Sequence, residues 1–155
     1  MINVPENQLI QTTVNELMIP ADKVAHVQVG NPLEHALLVL VKTGYSAVPV
    51  LDPAYTLKGT ISKAAIIEQT LGIEQFEFNK LSEMCVNTVM KTDIPTLHRD
   101  DSFEKALKSV IDHPFVCVAD DEGSFDGILT RRAILKQLNR YLHTQTHIFR
   151  DKVER

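Results

Sequence analysis

Two adjacent arginines, Arg131 and Arg132, follow a threonine at the predicted start of a helix, an arrangement suited to anion binding. Thr130 can cap this helix, and the backbone N–H groups of the first turn point outward without intrahelical partners. Because the start of a helix is the positive end of its dipole, two cations there destabilise it unless an anion binds. A charge-assisted contact between arginine and phosphate contributes about 1.5–3 kcal/mol net. The alternative is that both arginines pair with surface acids or remain solvated.

A second set of candidate ligand-binding residues enters the first predicted strand. Lys23 supplies a third cation, and Val24, Ala25 and Val27 follow it. Val24 by itself is typical of a core residue. Since side chains alternate between the two faces of a strand, Ala25 is expected to point away from that core. The small side chain of Ala25 lets an adenine approach the strand backbone, which offers one donor and one acceptor.

A third set precedes the second predicted strand. Tyr45 can stack on a base, Ser46 can bond a phosphate or a ribose, and Ala47 leaves the neighbouring space open. The alternative is that Tyr45 only covers the end of the preceding helix near Gly44.

The sequence repeats itself, and the repeat indicates which elements position these residues. Four blocks recur in the same order, with offsets that fall from 72 to 68 residues. Each copy predicts strand, helix, strand, strand and helix. The paired blocks are Val14–Met18 with Val86–Met90, Asn31–Leu40 with Asp101–Val110, Ala47–Asp52 with Phe115–Asp120, and Gly59–Ile67 with Gly127–Leu135. We expect a helical extension at 1–13, repeats at 14–72 and 86–142, a packed connection at 73–85, and a frayed or partner-bound tail at 143–155.

Capping and turn residues predict the bounds of the elements. Asn31 is expected to cap the first long helix in a capping box with Glu34, and Gly44 is expected to end it. Asp101 with Glu104 repeats this start. Four residues of the first long helix are expected to face a core: Leu33, Leu37, Leu40 and Val41. The predicted strands are Val24–Val29, Ile94–His98, Ala47–Leu51, Phe115–Ala119, Gly59–Ile61 and Gly127–Leu129, and the other helices are Glu6–Thr13, Lys63–Leu71, Arg131–Leu142 and a short one near Leu81.

Composition and charge argue against several classes of function. The chain has 155 residues, of which 44% are apolar and 23% charged, as is typical of a globular protein. It carries 16 Lys and Arg against 20 Asp and Glu and has no basic cluster, which disfavours nucleic-acid binding. It has no apolar run long enough to span a membrane and no recognisable signal peptide, so we expect a cytoplasmic protein without membrane attachment.

The remaining reactive side chains do not suggest a catalytic or metal site. His98, His113 and the cysteines lack the spacing of a metal-ligand set, and no motif of a nucleophile elbow, phosphate loop or zinc protease occurs. We therefore expect no enzyme activity, no metal and no catalytic cofactor. Cys85 and Cys117 are expected to be buried, reduced thiols, with a disulfide as the alternative.

The repeated unit, with its G-h-h-[ST]-x-x-x-h turn, resembles the CBS domain (cystathionine β-synthase domain). The resemblance is carried by VNELM and VNTVM at the openings, AVPVLD in the second strand, and GTISKAAI and GILTRRAI at the last turns. It covers Val14–Leu142. It implies an α/β (α+β) fold of tandem CBS repeats, known as a Bateman module, which dimerises into a flat disc and senses an adenosine nucleotide.

One departure from the family pattern bears on the ligand. Ala65 and Ala133 stand where CBS domains usually carry the Asp that holds the ribose hydroxyls. The loss of both carboxylates disfavours AMP, ADP and ATP, which present a free 2′,3′-diol, whereas a 3′,5′-linked cyclic dinucleotide has none.

Further stretches, including ADKVAHVQVG and KTGYSAVPVLDP, resemble the stand-alone CBS-pair proteins of Gram-positive bacteria that bind cyclic di-AMP. That resemblance implies a receptor that binds a partner enzyme when it holds no nucleotide and is released by the nucleotide. The implied partners are a (p)ppGpp synthetase/hydrolase of the stringent response or pyruvate carboxylase.

We expect one nucleotide per chain, in a cleft formed by Lys23–Val27, Tyr45–Ala47 and Thr130–Arg132. In the equivalent second cleft, Phe115 takes the place of an alanine and Pro114 removes a backbone donor. Two alternatives remain open: a sensor of AMP or ATP, and an interaction module that binds no nucleotide.

Overall fold

The chain folds into short strands alternating with helices, and the computed structural model describes residues 9, 11–72 and 74–154. Helices α1 to α6 span Val14–Leu17, Leu33–Thr43, Lys63–Thr70, Lys80–Glu83, Phe103–Ser109 and Arg131–Glu154. Strands β1 to β7 span Ile19–Pro20, Val27–Gln28, Ala47–Leu51, Leu57–Ser62, Thr96–Leu97, Phe115–Ala119 and Phe125–Thr130. Single 3₁₀ turns occupy Ala21–Lys23 and Val86–Thr88.

These elements form two compact units, each with its own sheet and core. The first unit holds the described residues of Met1–Asp22, Pro95–Asp120 and Asp126–Arg155, and the second holds those of Lys23–Ile94 and Asp121–Phe125. The first sheet has the order β1-β7-β6-β5, in which β1 is antiparallel to β7 and β5 is parallel to β6. The second has the order β2-β3-β4, in which β2 is parallel and β4 antiparallel to β3. The fold is thus mixed α/β, as the repeats predict.

The segment that opens each sequence repeat packs in the unit built from the other repeat. Val14 is fully buried in the core of the first unit, whose other strands come from the second repeat. Val86, its counterpart, is fully buried in the core of the second unit. The N–H of Val14 donates to the Asp101 carbonyl at 3.0 Å, and the N–H of Val86 donates to the Asn31 carbonyl at 2.8 Å. The opening segments of the two repeats, Val14–Met18 and Val86–Met90, are therefore exchanged: each packs in the unit that the other repeat forms.

This exchange explains the glycine of the G-h-h-[ST] motif. A Cβ atom at Gly59 would collide with the carbonyl oxygen of Lys91, and one at Gly127 would collide with that of Ile19. Lys91 and Ile19 follow the exchanged helical turns and pair with β4 and β7. Only glycine lets a neighbouring backbone approach a strand this closely.

The first helix of the β-α-β-β-α unit, α2 in one repeat and α5 in the other, begins one residue later than predicted. Pro32 rather than Asn31 is the N-cap of α2, and Ser102 rather than Asp101 is the N-cap of α5. The side-chain oxygens of Asn31 and Asp101 each accept, at 2.8 Å, the backbone N–H of the residue three positions earlier. Because that turn occupies the side chain, the predicted capping boxes are wrong.

Other predicted elements are confirmed, with differences in length. The strands Ala47–Leu51 and Phe115–Ala119 have the predicted bounds, the short helix near Leu81 is α4, and Gly44 ends α2 with a φ of 78°. The first strand of each repeat has two residues and is shorter than predicted. Half of the predicted helix at 6–13 lies outside the described residues, and Thr13 at its end is the extended N-cap of α1.

A further expectation is wrong. Val41 is 61% exposed, because the buried face of α2 is formed by Leu33, Ala36 and Leu40. Helix α6 is longer than predicted, since it continues past residue 142 to Glu154 through a stretch without glycine or proline.

Candidate functional site

The predicted anion-binding residues of the first unit lie where β7 passes directly into α6. The Thr130 hydroxyl oxygen accepts the N–H of Ala133 at 3.1 Å, which confirms the predicted cap. The N–H of Arg131 donates to the Pro114 carbonyl at 2.9 Å and joins the start of α6 to the start of β6. The first turn of α6 is therefore fixed from both sides.

The two arginines have different surroundings. Arg131 is half-buried, and its guanidinium donates to the carbonyls of Val110 at 2.8 Å and Ile111 at 3.2 Å, at the C-terminal end of α5. Neither alternative considered from the sequence, a surface acid or solvent, describes this contact. Arg132 is exposed. Its guanidinium is consequently the better placed of the two to meet an incoming phosphate.

A shallow groove of about 500 Å³ runs along the first three turns of α6. It is lined by Arg131, Arg132, Leu135, Lys136 and Asn139. Three of these side chains are cationic and none is acidic, so the groove favours an anion that also presents an apolar part. Lys136 is absent from the sequence-based set, although its position four residues after Arg132 places both on one helix face.

The candidate residues around Lys23 lie in the second unit. Lys23 is exposed at the end of a 3₁₀ turn, whereas Val24 and Val27 are 9% and 1% exposed, so their side chains belong to the core. The strand begins only at Val27, so the expectation that Ala25 lies within it is wrong. Ala25 is half-buried and packs against the core. Val24 and Val27 can therefore offer a ligand only backbone atoms.

Tyr45, Ser46 and Ala47 connect α2 to β3 in the same unit. Tyr45 is 51% exposed, and the helix end is closed by the N–H of Gly44, which donates to the Leu40 carbonyl at 2.9 Å. The carbonyl of Ser46 accepts the N–H of Lys63 at 2.9 Å. This bond is equivalent to the one from Arg131 to Pro114 in the first unit. The Tyr45 ring is left available for stacking.

Tyr55, which the sequence analysis did not select, contacts His26 within the predicted Lys23–Val27 segment. His26 Nδ1 donates to the Val24 carbonyl at 3.2 Å, and the Tyr55 ring meets the His26 ring edge-on at 5.2 Å. Tyr55 has a φ of 68°, unusual for a residue other than glycine. No sequence pattern identifies this pair, because its contact joins distant positions.

The equivalent positions of the two repeats carry different charges. Ser62 caps α3 by accepting the N–H of Ala65 at 3.1 Å, as Thr130 caps α6. The position equivalent to Arg132 is Ala64, however, and Phe115 stands half-buried at the position equivalent to Ala47. Lys63 is equivalent to Arg131, so each helix start carries a cation at its first position, but the start of α3 has no counterpart of Arg132.

Within the described ranges, no group of three or more His, Cys, Asp or Glu side chains is arranged to hold a metal ion. Both cysteines are free thiols. Cys117 is buried, and burial raises the pKa of its thiol to about 12. Cys85 is exposed, so the expectation that it is buried is wrong. None of the described helices combines the length and the hydropathy needed to cross a bilayer.

Two copies of one α/β unit, each with an exchanged opening and a hydroxyl-capped final helix, define a tandem-repeat protein of mixed α/β class. The profile of the CBS domain matches residues 14–72 and 86–140. The chain belongs to the CBS domain family, and this confirms the resemblance seen in the sequence.

Similar proteins include one curated relative and several solved structures. Cyclic di-AMP receptor B of Bacillus subtilis (strain 168) is 54% identical over 144 residues, which cover 93% of this chain and 98% of the receptor. A CBS domain-containing protein of unknown function from Bacillus anthracis str. Ames Ancestor has a TM-score of 0.83 at 60% identity, over 88% of this chain and 99% of that one. The CbpB protein of Listeria monocytogenes in complex with c-di-AMP has a TM-score of 0.79 at 50% identity, over 84% and 98% of the two chains.

Proposed function

We propose that this protein is a cytoplasmic receptor for cyclic di-AMP with no catalytic activity of its own. The observation that carries the proposal is the 54% identity to the Bacillus subtilis cyclic di-AMP receptor B over 93% of the chain. The Listeria monocytogenes CbpB protein, 50% identical, is solved in complex with the same nucleotide.

The missing carboxylates support a cyclic dinucleotide over AMP or ATP. Ala65 and Ala133 each have their N–H bound by the hydroxyl that caps the helix, at 3.1 Å. Each side chain is a methyl group where CBS domains usually present the carboxylate for a free ribose diol. Cyclic di-AMP has no free diol and loses nothing by this change.

The residues proposed to bind the nucleotide are those that the sequence predicts, with Lys136 added. Arg132, with Lys136 beside it, neutralises a phosphate at the start of α6, and Lys23 supplies a further cation. Tyr45 stacks on an adenine, and Ser46 bonds the phosphate or ribose with its hydroxyl. Arg131 supports the site through its hold on the end of α5, and Thr130 supports it through its cap.

The backbone from Val24 to Val27 reads the adenine edge. Ala25 keeps a small side chain there, and the buried side chains of Val24 and Val27 fix the segment. Because Ala64 replaces the arginine and Phe115 replaces the small residue in the other set of equivalent positions, we propose one nucleotide per chain.

We further propose that the receptor is a homodimer and regulates a partner enzyme in trans. By resemblance, the partner is a (p)ppGpp synthetase/hydrolase or pyruvate carboxylase, bound by the nucleotide-free receptor and released by cyclic di-AMP. Linkage requires the partner to weaken nucleotide binding by the same factor by which the nucleotide weakens partner binding. A differential of about a hundredfold, ~3 kcal/mol, is enough for such a switch.

Equilibrium dialysis of the full chain with labelled cyclic di-AMP tests the receptor proposal. We expect Arg132→Met to weaken binding by about tenfold or more, since one charge-assisted phosphate contact is lost. Lys108→Met is the matched control, because Lys108 is an exposed cation that is paired with Glu104 at 3.3 Å and is not one of the proposed ligand-binding residues. Equal weakening by both variants would show non-specific charge attraction, and absence of binding to the unmodified chain would refute the proposal.

A further inference from the structure

An exposed pair of phenylalanines lies in the connection between the two matched segments of the chain. The rings of Phe76 and Phe78 stack with centroids 5.6 Å apart, and the residues are 49% and 67% exposed. The family match ends at residue 72 and resumes at residue 86, so the CBS repeat does not account for this pair. Exposed aromatic clusters of this kind mark interaction surfaces.

The connection is anchored on both sides of the pair. The N–H of Gly72 donates to the Gln75 carbonyl at 2.8 Å, which closes the turn before the rings. After the rings, Leu81 and Met84 pack against the core of the second unit. The segment therefore has access to the core and places other apolar side chains there, while the two phenylalanines remain outside.

The exposed apolar area extends from the rings to the end of α3. Leu71 forms a bridge with Phe76, and Ile67 lies one helical turn before Leu71. Ile67 and Leu71 are 44% and 52% exposed. We call these four residues, Ile67, Leu71, Phe76 and Phe78, the aromatic surface.

The segment that carries the aromatic surface is acidic. Four glutamates lie between residues 66 and 84, against a single cation, Lys80, which is already paired with Glu77 at 2.7 Å. A cavity of about 400 Å³ beside Phe76 is lined by Gly72, Glu74, Gln75 and Glu77. The faces of the rings also attract cations. The charge of this region therefore selects a positively charged occupant.

We propose that the aromatic surface binds a protein segment whose apolar side chains are flanked by lysine or arginine. The apolar side chains cover the rings, and a cation enters the cavity beside Glu74. The inference rests on the proposed function, because it identifies the surface through which the receptor engages its partner in trans.

The test uses fluorescence anisotropy of a labelled amphipathic peptide of leucine and lysine at helical spacing, titrated with the full chain. A second peptide replaces every leucine by serine at equal charge. We expect the first peptide to bind, the second to bind about tenfold or more weakly, and Phe76→Ser with Phe78→Ser to weaken the first by a similar factor. Glu74→Gln with Glu77→Gln is expected to weaken binding and its salt dependence.

Matched controls separate the surface from general effects. Ile111→Ser removes an apolar side chain that is 65% exposed in the first unit, and it is expected to leave peptide binding unchanged. Cyclic di-AMP binding by each variant shows whether it is folded, and failure of the unmodified chain to bind the nucleotide would refute the proposed function alone. Peptide binding that survives the double serine substitution, or absence of peptide binding, would overturn the inference. So would dissociation of a dimer by the same substitution, since the occupant would then be a second copy of the chain.

Discussion

A hydrogen bond of 2.8 Å joins Arg131 to Val110, since the guanidinium Nε–H donates to the backbone carbonyl of Val110. Val110 is the C-cap of α5. Carbonyls at the C-terminal end of a helix lack intrahelical partners, and the dipole there favours a cation. Arg131 supplies both the donor and the charge. Two adjacent arginines that look alike in the sequence thus differ in structure: Arg131 bonds within the fold, whereas Arg132 is exposed and is the one proposed to bind phosphate.

Stability measurements should distinguish the two arginines. Arg131→Met removes two hydrogen bonds from a charged donor and is expected to lower the free energy of unfolding by about 1–3 kcal/mol. Arg132→Met changes an exposed residue and is expected to stay within about 0.5 kcal/mol. Urea unfolding followed by circular dichroism measures both. Equal destabilisation by the two variants would contradict this difference.

Restoring the missing carboxylate should change ligand binding in one repeat only. Ala133→Asp places a negative charge next to Arg132 and the proposed phosphate, and we expect cyclic di-AMP affinity to fall about tenfold or more. Ala65→Asp makes the same change in the other repeat and serves as the control. Calorimetric titration of both variants measures the effect. If Ala65→Asp weakened binding as strongly, the assignment of a single site to the Arg132 side would be wrong.

The turn after β3 should make stability depend on pH. Asp52 accepts the N–H groups of Thr56 and Ala54, each at 2.9 Å, and the bond from Thr56 above all holds the pKa of the Asp52 carboxyl below its ordinary value of 3.8. The stabilising effect of the ionised form is therefore present above that value and is lost as the pH falls through the lowered pKa. We expect Asp52→Asn to lose less stability than the unmodified chain between neutral and strongly acidic pH. Parallel stability curves from urea unfolding would count against this assignment.

The two thiols should react at very different rates. Cys85 is exposed, whereas Cys117 is buried and the pKa of its thiol is raised to about 12. Because the thiolate is the reactive form, a disulfide reagent at neutral pH should modify one cysteine quickly and the second only on unfolding. Cys85→Ser should abolish the fast phase. Two fast phases in the native chain would contradict the burial of Cys117.

Much of the fold could be predicted, because the repeat places two independent copies of each signal in one chain. Gly59 and Gly127 recur at equivalent positions, and Thr130 has the side chain that caps a helix. The exchange of the openings could not be predicted, since Val14 and Val86 are equivalent in sequence. Either residue could pack with its own repeat or with the other. The exchange is visible only in the structure, where Lys91 pairs with β4 and Ile19 pairs with β7.

The candidate site was less predictable than the fold. The task of Arg131 depends on the end of a helix about twenty residues away, which no local pattern reveals. His26 and Tyr55 meet only through the fold, and Lys136 becomes part of the groove because α6 presents it beside Arg132. The burial of Val24, in contrast, could be predicted, because its apolar side chain favours the core.

Calorimetric titration of the unmodified chain with cyclic di-AMP, with AMP, ATP and cyclic di-GMP as controls, is the most direct test of the receptor proposal. We predict that cyclic di-AMP binds with a stoichiometry of one per chain and that the other nucleotides bind at least a hundredfold more weakly, about 2.7 kcal/mol. A preference for AMP or ATP, or two molecules of cyclic di-AMP per chain, would contradict the account.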